Sequence, residues 1–279
     1  MRATWCSPGR RNLLVIIALC IVATPALSAP EAARQARPGD LKISLKLLTR
    51  DGTISAYEPL VARVSITNTT ADALEFTLGP SETPDTYLEI RDSKGKLLAS
   101  TPRFEPGRIG EVNMAVHALG PGKSLTKLWV VSVLHQFTKP GEYKIHLQLL
   151  SGALRGKPTL TSQDTATVRV LPFDAARLQA RCEEIFKPIP THQASCELDA
   201  GARAKILYSV RHDIVLPYLD WAVREWSDTY ACLAMRRLGT ERAQGLLKAL
   251  TARQDTAGRE ARSSLKLPLK ISMYDVVLD

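Results

Sequence analysis

The stretch Thr165-Ala166-Thr167-Val168-Arg169-Val170-Leu171-Pro172-Phe173-Asp174-Ala175-Ala176-Arg177-Leu178 is where the chain changes its hydrophobic rhythm. Before Pro172 apolar residues recur at every second position, and after it at every third or fourth. The first period belongs to a strand with one buried face, the second to a helix with one buried stripe. Pro172 has no N–H to give a ladder, and Asp174 is a good helix-capping side chain, so the first helix is predicted from Asp174 to about Phe186.

Upstream, the alternation holds back to Leu41. Leu41, Ile43, Leu45 and Leu47 are interleaved with Lys42, Ser44 and Lys46, and Tyr143, Ile145, Leu147 and Leu149 with Lys144, His146 and Gln148. The run 60–67 has the same pattern. Further strands are predicted at 74–78, 86–91, 96–100, 111–116, 125–134 and 165–171. Between them Asp51-Gly52, Gly95, Gly120-Pro121-Gly122 and Pro140-Gly141 supply turns. Short strands at even spacing predict two packed antiparallel sheets. No Cys lies between 41 and 171 to pin them as in an antibody domain.

Downstream, Ile206, Leu207, Val210, Ile214, Leu219 and Val223 follow helical spacing, Gly239 ends one helix and Thr240-Glu241 opens the next. A weak repeat of 28 residues carries Leu207, Val210, Leu216 and Leu219 onto Met235, Leu238, Gln244 and Leu247, with Asp213 answered by Glu241. Trp221 and Trp226 are expected in the core or seam of these helices.

Two resemblances follow. Glu58-Pro59-Leu60-Val61-Ala62-Arg63-Val64, Tyr87-Leu88-Glu89-Ile90-Arg91-Asp92-Ser93-Lys94-Gly95-Lys96, Leu119-Gly120-Pro121-Gly122-Lys123-Ser124-Leu125 and Pro140-Gly141-Glu142-Tyr143 resemble the immunoglobulin-like domains of exported bacterial proteins. More narrowly, they are similar to the bacterial proteinase-inhibitor domain of the intracellular subtilisin inhibitor type. His212 to Leu219 and Leu238 to Ala243 look like HEAT-type helical repeats. The implied fold class is an all-β immunoglobulin-like sandwich over 41–172, then a separate all-α HEAT-like domain over 173–279. The shared motifs are turns and strand starts, so the inhibitor likeness carries no reactive-site residue onto this chain.

Arg2, Arg10 and Arg11 precede the apolar run from Leu13 to Ala23, and Ala26-Leu27-Ser28 offers a cleavage site, which reads as a signal peptide over 1–28. A run of eleven is too short to cross a bilayer, which takes about 20 residues. Leu19 stands before Cys20, where a lipoprotein signal has Gly or Ala. Residues 29–40 read as a flexible linker, and the mature chain as periplasmic or secreted. Of the five Cys, 182, 196 and 232 would then remain in an oxidising compartment. A Cys182–Cys196 disulfide would tether the non-helical Lys187-Pro188-Ile189-Pro190 stretch with a gain of order 3 kcal/mol, leaving Cys232 as a buried, inert thiol.

The net charge of +9 drops when the signal arginines leave, and neither half is an evident polyanion binder. One local excess stays: nine basic residues between Arg236 and Lys270 face only Glu241, Asp255 and Glu260. Without interleaved aromatics it reads as a solvated face rather than a nucleic-acid surface.

Nothing nominates an enzyme, a cofactor or a small-molecule substrate. The His residues at 117, 135, 146, 192 and 212 have no metal spacing, Asp213 is expected to cap a helix, and Glu183-Glu184 diverge on a helix. Cys-x-x-Cys, Gly-x-Ser-x-Gly, P-loop and dinucleotide fingerprints are all missing. Asn68-Thr69-Thr70 is a glycosylation sequon by pattern only. The expected function is an exported, non-catalytic binding or scaffold protein acting on another protein. The alternative is a protease inhibitor using the loop 102–110.

Overall fold

The computed structural model describes residues 33–78, 86–101, 115–151, 159–186, 200–267 and 277–278. The signal segment, the loop 102–110 and Cys196 lie outside them. Ala33–Asp279 forms one compact unit.

Twelve strands are described. In chain order they are β1 (Arg34–Gln35), β2 (Leu41–Leu47), β3 (Thr53–Ser55), β4 (Val61–Asn68), β5 (Leu74–Leu78), β6 (Thr86–Asp92), β7 (Leu97–Ser100), β8 (Ala115–Leu119), β9 (Ser124–Val130), β10 (Gly141–Ser151), β11 (Thr159–Leu171) and β12 (Val277–Leu278). They make a five-stranded sheet in the order β3-β11-β10-β6-β7, a four-stranded sheet β12-β9-β4-β2 and a small sheet β1-β5-β8. Ile43, Val64 and Ile66 from one large sheet share a core with Leu88, Ile90, Ile145, Leu147 and Val168 from the other, a β-sandwich with the alternation the sequence predicts. A corner is sealed by side chains of β11: the free N–H groups of Ile43 and Leu45 on edge strand β2 donate to Ser162 Oγ (3.0 Å) and Asp164 Oδ2 (2.8 Å).

Two segments depart from expectation. The strand predicted over 125–134 stops at Val130, and Val131–Leu134 forms a helical turn, α1, despite two valines. Tertiary bonding overrides their strand preference: Ser132 Oγ accepts the Leu60 N–H at 3.1 Å and donates to Ser209 Oγ at 2.7 Å. Residues 33–40, expected as linker, include β1, which pairs with β5 in parallel. Arg34 holds them in place, bridging Asp40 and Asp72 at 2.7 Å each.

After Pro172 the described elements are helical apart from β12. They are α2 (Ala175–Phe186), α3 (Ala200–Tyr208), a 3-10 turn (Asp213–Val215), α4 (Leu216–Trp226), α5 (Thr229–Leu238), α6 (Glu241–Thr251) and α7 (Thr256–Ser264). Asp174 caps α2 by accepting the Arg177 N–H at 3.0 Å. Gly239, at φ 66°, ends α5 in the left-handed region, and Thr240 caps α6. Ala231, Cys232, Leu233, Ala234 and Met235 are all buried, because α5 lies among α3, α4, α6 and α7. The 28-residue spacing carries α3 onto α5, which pack together, and α4 onto α6, which instead both pack on α5 and α7; Leu207, Met235, Leu219 and Leu247 are all buried.

The helical half is not an isolated body. Its Leu178, Cys182, Leu207 and Val210 belong to one buried cluster with Leu60, Val131 and Phe137 of the sandwich. Gln136 Nε2 adds bonds to the carbonyls of Ser132 (3.0 Å) and Ser209.

Candidate functional site

The turn that ends β11 and begins α2 is built from below by a buried polar hub. Ser55, fully buried, accepts the Asp174 N–H at 2.9 Å and reaches the Pro172 carbonyl at 3.3 Å. Glu58 carries almost no exposed surface; its Oε2 accepts the Ser55 N–H at 2.8 Å and Arg177 Nε at 3.0 Å. Arg177 continues to the Thr53 carbonyl (2.8 Å) and hydroxyl (3.0 Å). Thr53 in turn holds the Asp51 carboxyl below its usual range by donating its hydroxyl at 2.6 Å. A buried charge is tolerated when its lone pairs are satisfied in this way, and the hub locks α2 onto β3.

Above the hub stands an aromatic group drawn from three parts of the chain. Tyr57 has φ 70°, a strained conformation for a bulky residue, held by its N–H to the Phe137 carbonyl at 3.0 Å. Its ring meets Phe173 edge-on at 5.7 Å, and Phe173 lies at 4.8 Å from the His212 ring with 30° between planes. His212 Nδ1 accepts the Ile214 N–H at 3.2 Å, which places the neutral ring's proton on Nε2. Phe173 is 44% exposed. Beside it an open cavity of about 540 Å³ is lined by Ser55, Leu171, Pro172, Phe173, Asp174 and Arg177.

Chemically this is a rigid apolar plate with a flanking guanidinium and carboxylate. Ser55, Glu58 and His212 are each engaged with backbone or Arg177, and no hydrogen bond joins His212 to the other two among the described residues. Among those residues no group of three or more His, Cys, Asp or Glu could hold a metal ion, and no helix is long and apolar enough to cross a membrane.

Other sequence expectations resolve individually. The cap at the α3–α4 junction is His212, not Asp213; the Asp213 carboxylate instead accepts the Thr240 hydroxyl at 2.7 Å. Glu183 faces Gln179 and Tyr218 while Glu184 faces Arg181 and Arg50. His146 sits on the polar face of β10 against Thr165 at 2.9 Å. Trp221 meets Phe186 edge-on at 4.5 Å and is 38% exposed, a seam position. Cys182 and Cys232 are buried free thiols, each pushed up to about 12 mainly by burial. Tyr57 and its approach to Phe173 were not legible; the one signal in the sequence is an exposed-sized aromatic wedged between Pro172 and the cap Asp174.

No family model and no curated protein matches the chain. Solved structures similar to part of it include a beta-glucosidase from Listeria innocua, 15% identical over 48% of this chain and 16% of that one, with TM-score 0.26. The CARDB domain of a Pyrococcus furiosus protein is 17% identical over 47% of this chain and 94% of that one, with TM-score 0.24. The sporulation control protein Spo0M from Bacillus subtilis is 10% identical over 53% and 54%, with TM-score 0.28. The chain spans 16% of the beta-glucosidase's length, and at these TM-scores the likenesses carry no argument about its activity or partners.

Proposed function

We propose that this is an exported, non-catalytic binding protein in which an immunoglobulin-like sandwich and HEAT-like helices together present the Tyr57–Phe173–His212 plate to another protein. The observation that carries the reading is a 44% exposed Phe173 held by two ring neighbours over the half-buried Arg177–Glu58 ion pair. Aromatic side chains fixed before binding lose little entropy on contact and act as anchors, and the adjacent Arg177 and Asp174 supply a polar rim. A Cys182–Cys196 disulfide belongs to this reading as well, although Cys182 is a free thiol in this structure and Cys196 lies outside the described residues.

The test replaces Phe173 with a photo-crosslinking residue in the native cells, with Leu97 on sheet-edge strand β7 replaced likewise as a control. The expected result is one discrete adduct of higher mass from position 173 and none from 97, on a chain beginning at Ala29. Absence of an adduct, or the same adducts from both positions, would overturn the proposal.

A further inference from the structure

The basic excess at the C-terminal end of the chain takes a definite shape in three dimensions. An open cavity of about 500 Å³ at the end of α7 is lined by Arg259, Arg262, Ser263, Leu265 and Lys266. The acidic side chains nearby offset only part of this charge: Glu260 accepts the Thr229 hydroxyl at 2.8 Å through one oxygen and pairs with Arg259 at 3.5 Å through the other, and Asp255 caps α7 through the Gly258 N–H and pairs with Arg253. Arg262 spends one nitrogen on the carbonyls of Thr251 and Arg253, both at 2.7 Å, and no carboxylate pairs with Arg262 or Lys266 among the described residues.

Next to these cations Leu265 and Leu267 are 49% and 42% exposed. Their exposure is built rather than frayed. Arg236 on α5 donates to the carbonyls of Ser264 and Leu267, the latter at 2.9 Å, and the turn closes through Lys266 N–H to Ser263 and Leu267 N–H to Ser264. The surface therefore couples a fixed apolar pair to a charge that is only partly neutralised.

We propose that the end of α7 is a docking surface for an anionic lipid membrane. Negative headgroups complement Arg259, Arg262 and Lys266, and the layer just beneath them takes up two leucines that water does not. A nucleic acid would use the charge and leave the leucines idle, since no aromatic ring lines the cavity for a base to stack on. The surface is separate from the Phe173 plate, so either can fail without the other.

The experiment uses the chain from Ala29 onward, so that the N-terminal apolar run contributes nothing, with vesicles of pure phosphatidylcholine and vesicles half of phosphatidylglycerol. The chain is expected to sediment with the anionic vesicles only, and to be released at about 1 M salt, where screening lengths fall to about 3 Å. Each charge reversal, Arg259→Glu or Lys266→Glu, weakens binding by at least roughly fivefold, the equivalent of one surface cation. Leu265→Ser with Leu267→Ser also weakens it, with unchanged circular dichroism. No binding to anionic vesicles, equal binding to both kinds, or loss on charge reversal with full binding by the leucine variant would each overturn the proposal; the last outcome marks a soluble polyanion as the partner.

Discussion

Asn68 opens a sequon, yet its side chain is fully buried and uses both ends of the amide. Nδ2 donates to the carbonyls of Asp72 (2.7 Å), Leu119 (2.9 Å) and Gly120 (3.2 Å), while Oδ1 accepts the Thr70 N–H (2.8 Å) and hydroxyl (2.9 Å). It therefore staples the end of β4 to the end of β8 and is closed to a glycan. Asn68→Ala strands the buried Leu119 carbonyl and the half-buried Thr70 N–H, and leaves a cavity, so it is expected to lower stability by roughly 3 kcal/mol in urea titration. Asn68→Asp turns donors into acceptors facing three carbonyls, so its loss should exceed that of alanine and deepen as the carboxyl ionises. Cys232 makes a second residue-scale case. Burial first, then Asp228, raises its thiol from 9.0 to about 12, so the folded state keeps a proton that the unfolded state releases. Its contribution is complete below about pH 9 and is lost as pH rises toward 12. Alkaline unfolding curves of Cys232→Ala should therefore be flatter in that window than those of the parent, and iodoacetamide should label the parent's Cys232 only after unfolding.

Elements were legible wherever a local pattern decides them. β2 and β5 fall on their predicted residues, and α2 starts one residue after its predicted cap, because alternation, a Gly turn or a capping Asp is a property of neighbours in sequence. Elements decided by distant partners were not. Val131–Leu134 reads as strand and is helical through Ser209, and the site's Tyr57 and His212 meet Phe173 from opposite ends of the chain. Gly258 shows the same limit: the basic stretch 236–270 reads as a solvated face, yet this glycine of α7 is buried under the preceding turn. A Cβ there would stand 2.1 Å from the Arg253 carbonyl oxygen, a backbone atom that cannot swing aside. Although alanine favours helices, Gly258→Ala is expected to destabilise by about 1–3 kcal/mol in thermal or urea melts, the cost of overpacking outweighing the propensity gain.

At the scale of the molecule the two rhythms suggest two modules, but a period reports only which face is buried, not what buries it. Here the faces bury each other. Leu60, Val131 and Phe137 from the sandwich side share a cluster with Leu178, Leu207 and Val210. Across that seam runs a chain of bonds in which the Leu60 N–H donates to Ser132, Ser132 to Ser209, and Ser209 to the Ile206 carbonyl at 2.7 Å. Each hydroxyl in it both donates and accepts, so removing one leaves a buried partner unsatisfied on either side. Unfolding in urea, followed by helical circular dichroism and by hydrogen exchange of the β10 amides, should accordingly give one midpoint for both probes. Ser132→Ala should move both midpoints down together by about 2 kcal/mol. If the helical signal alone shifted while β10 kept its protection, the halves would be energetically separate, and a plate assembled from Tyr57, Phe173 and His212 would have no common scaffold to hold it.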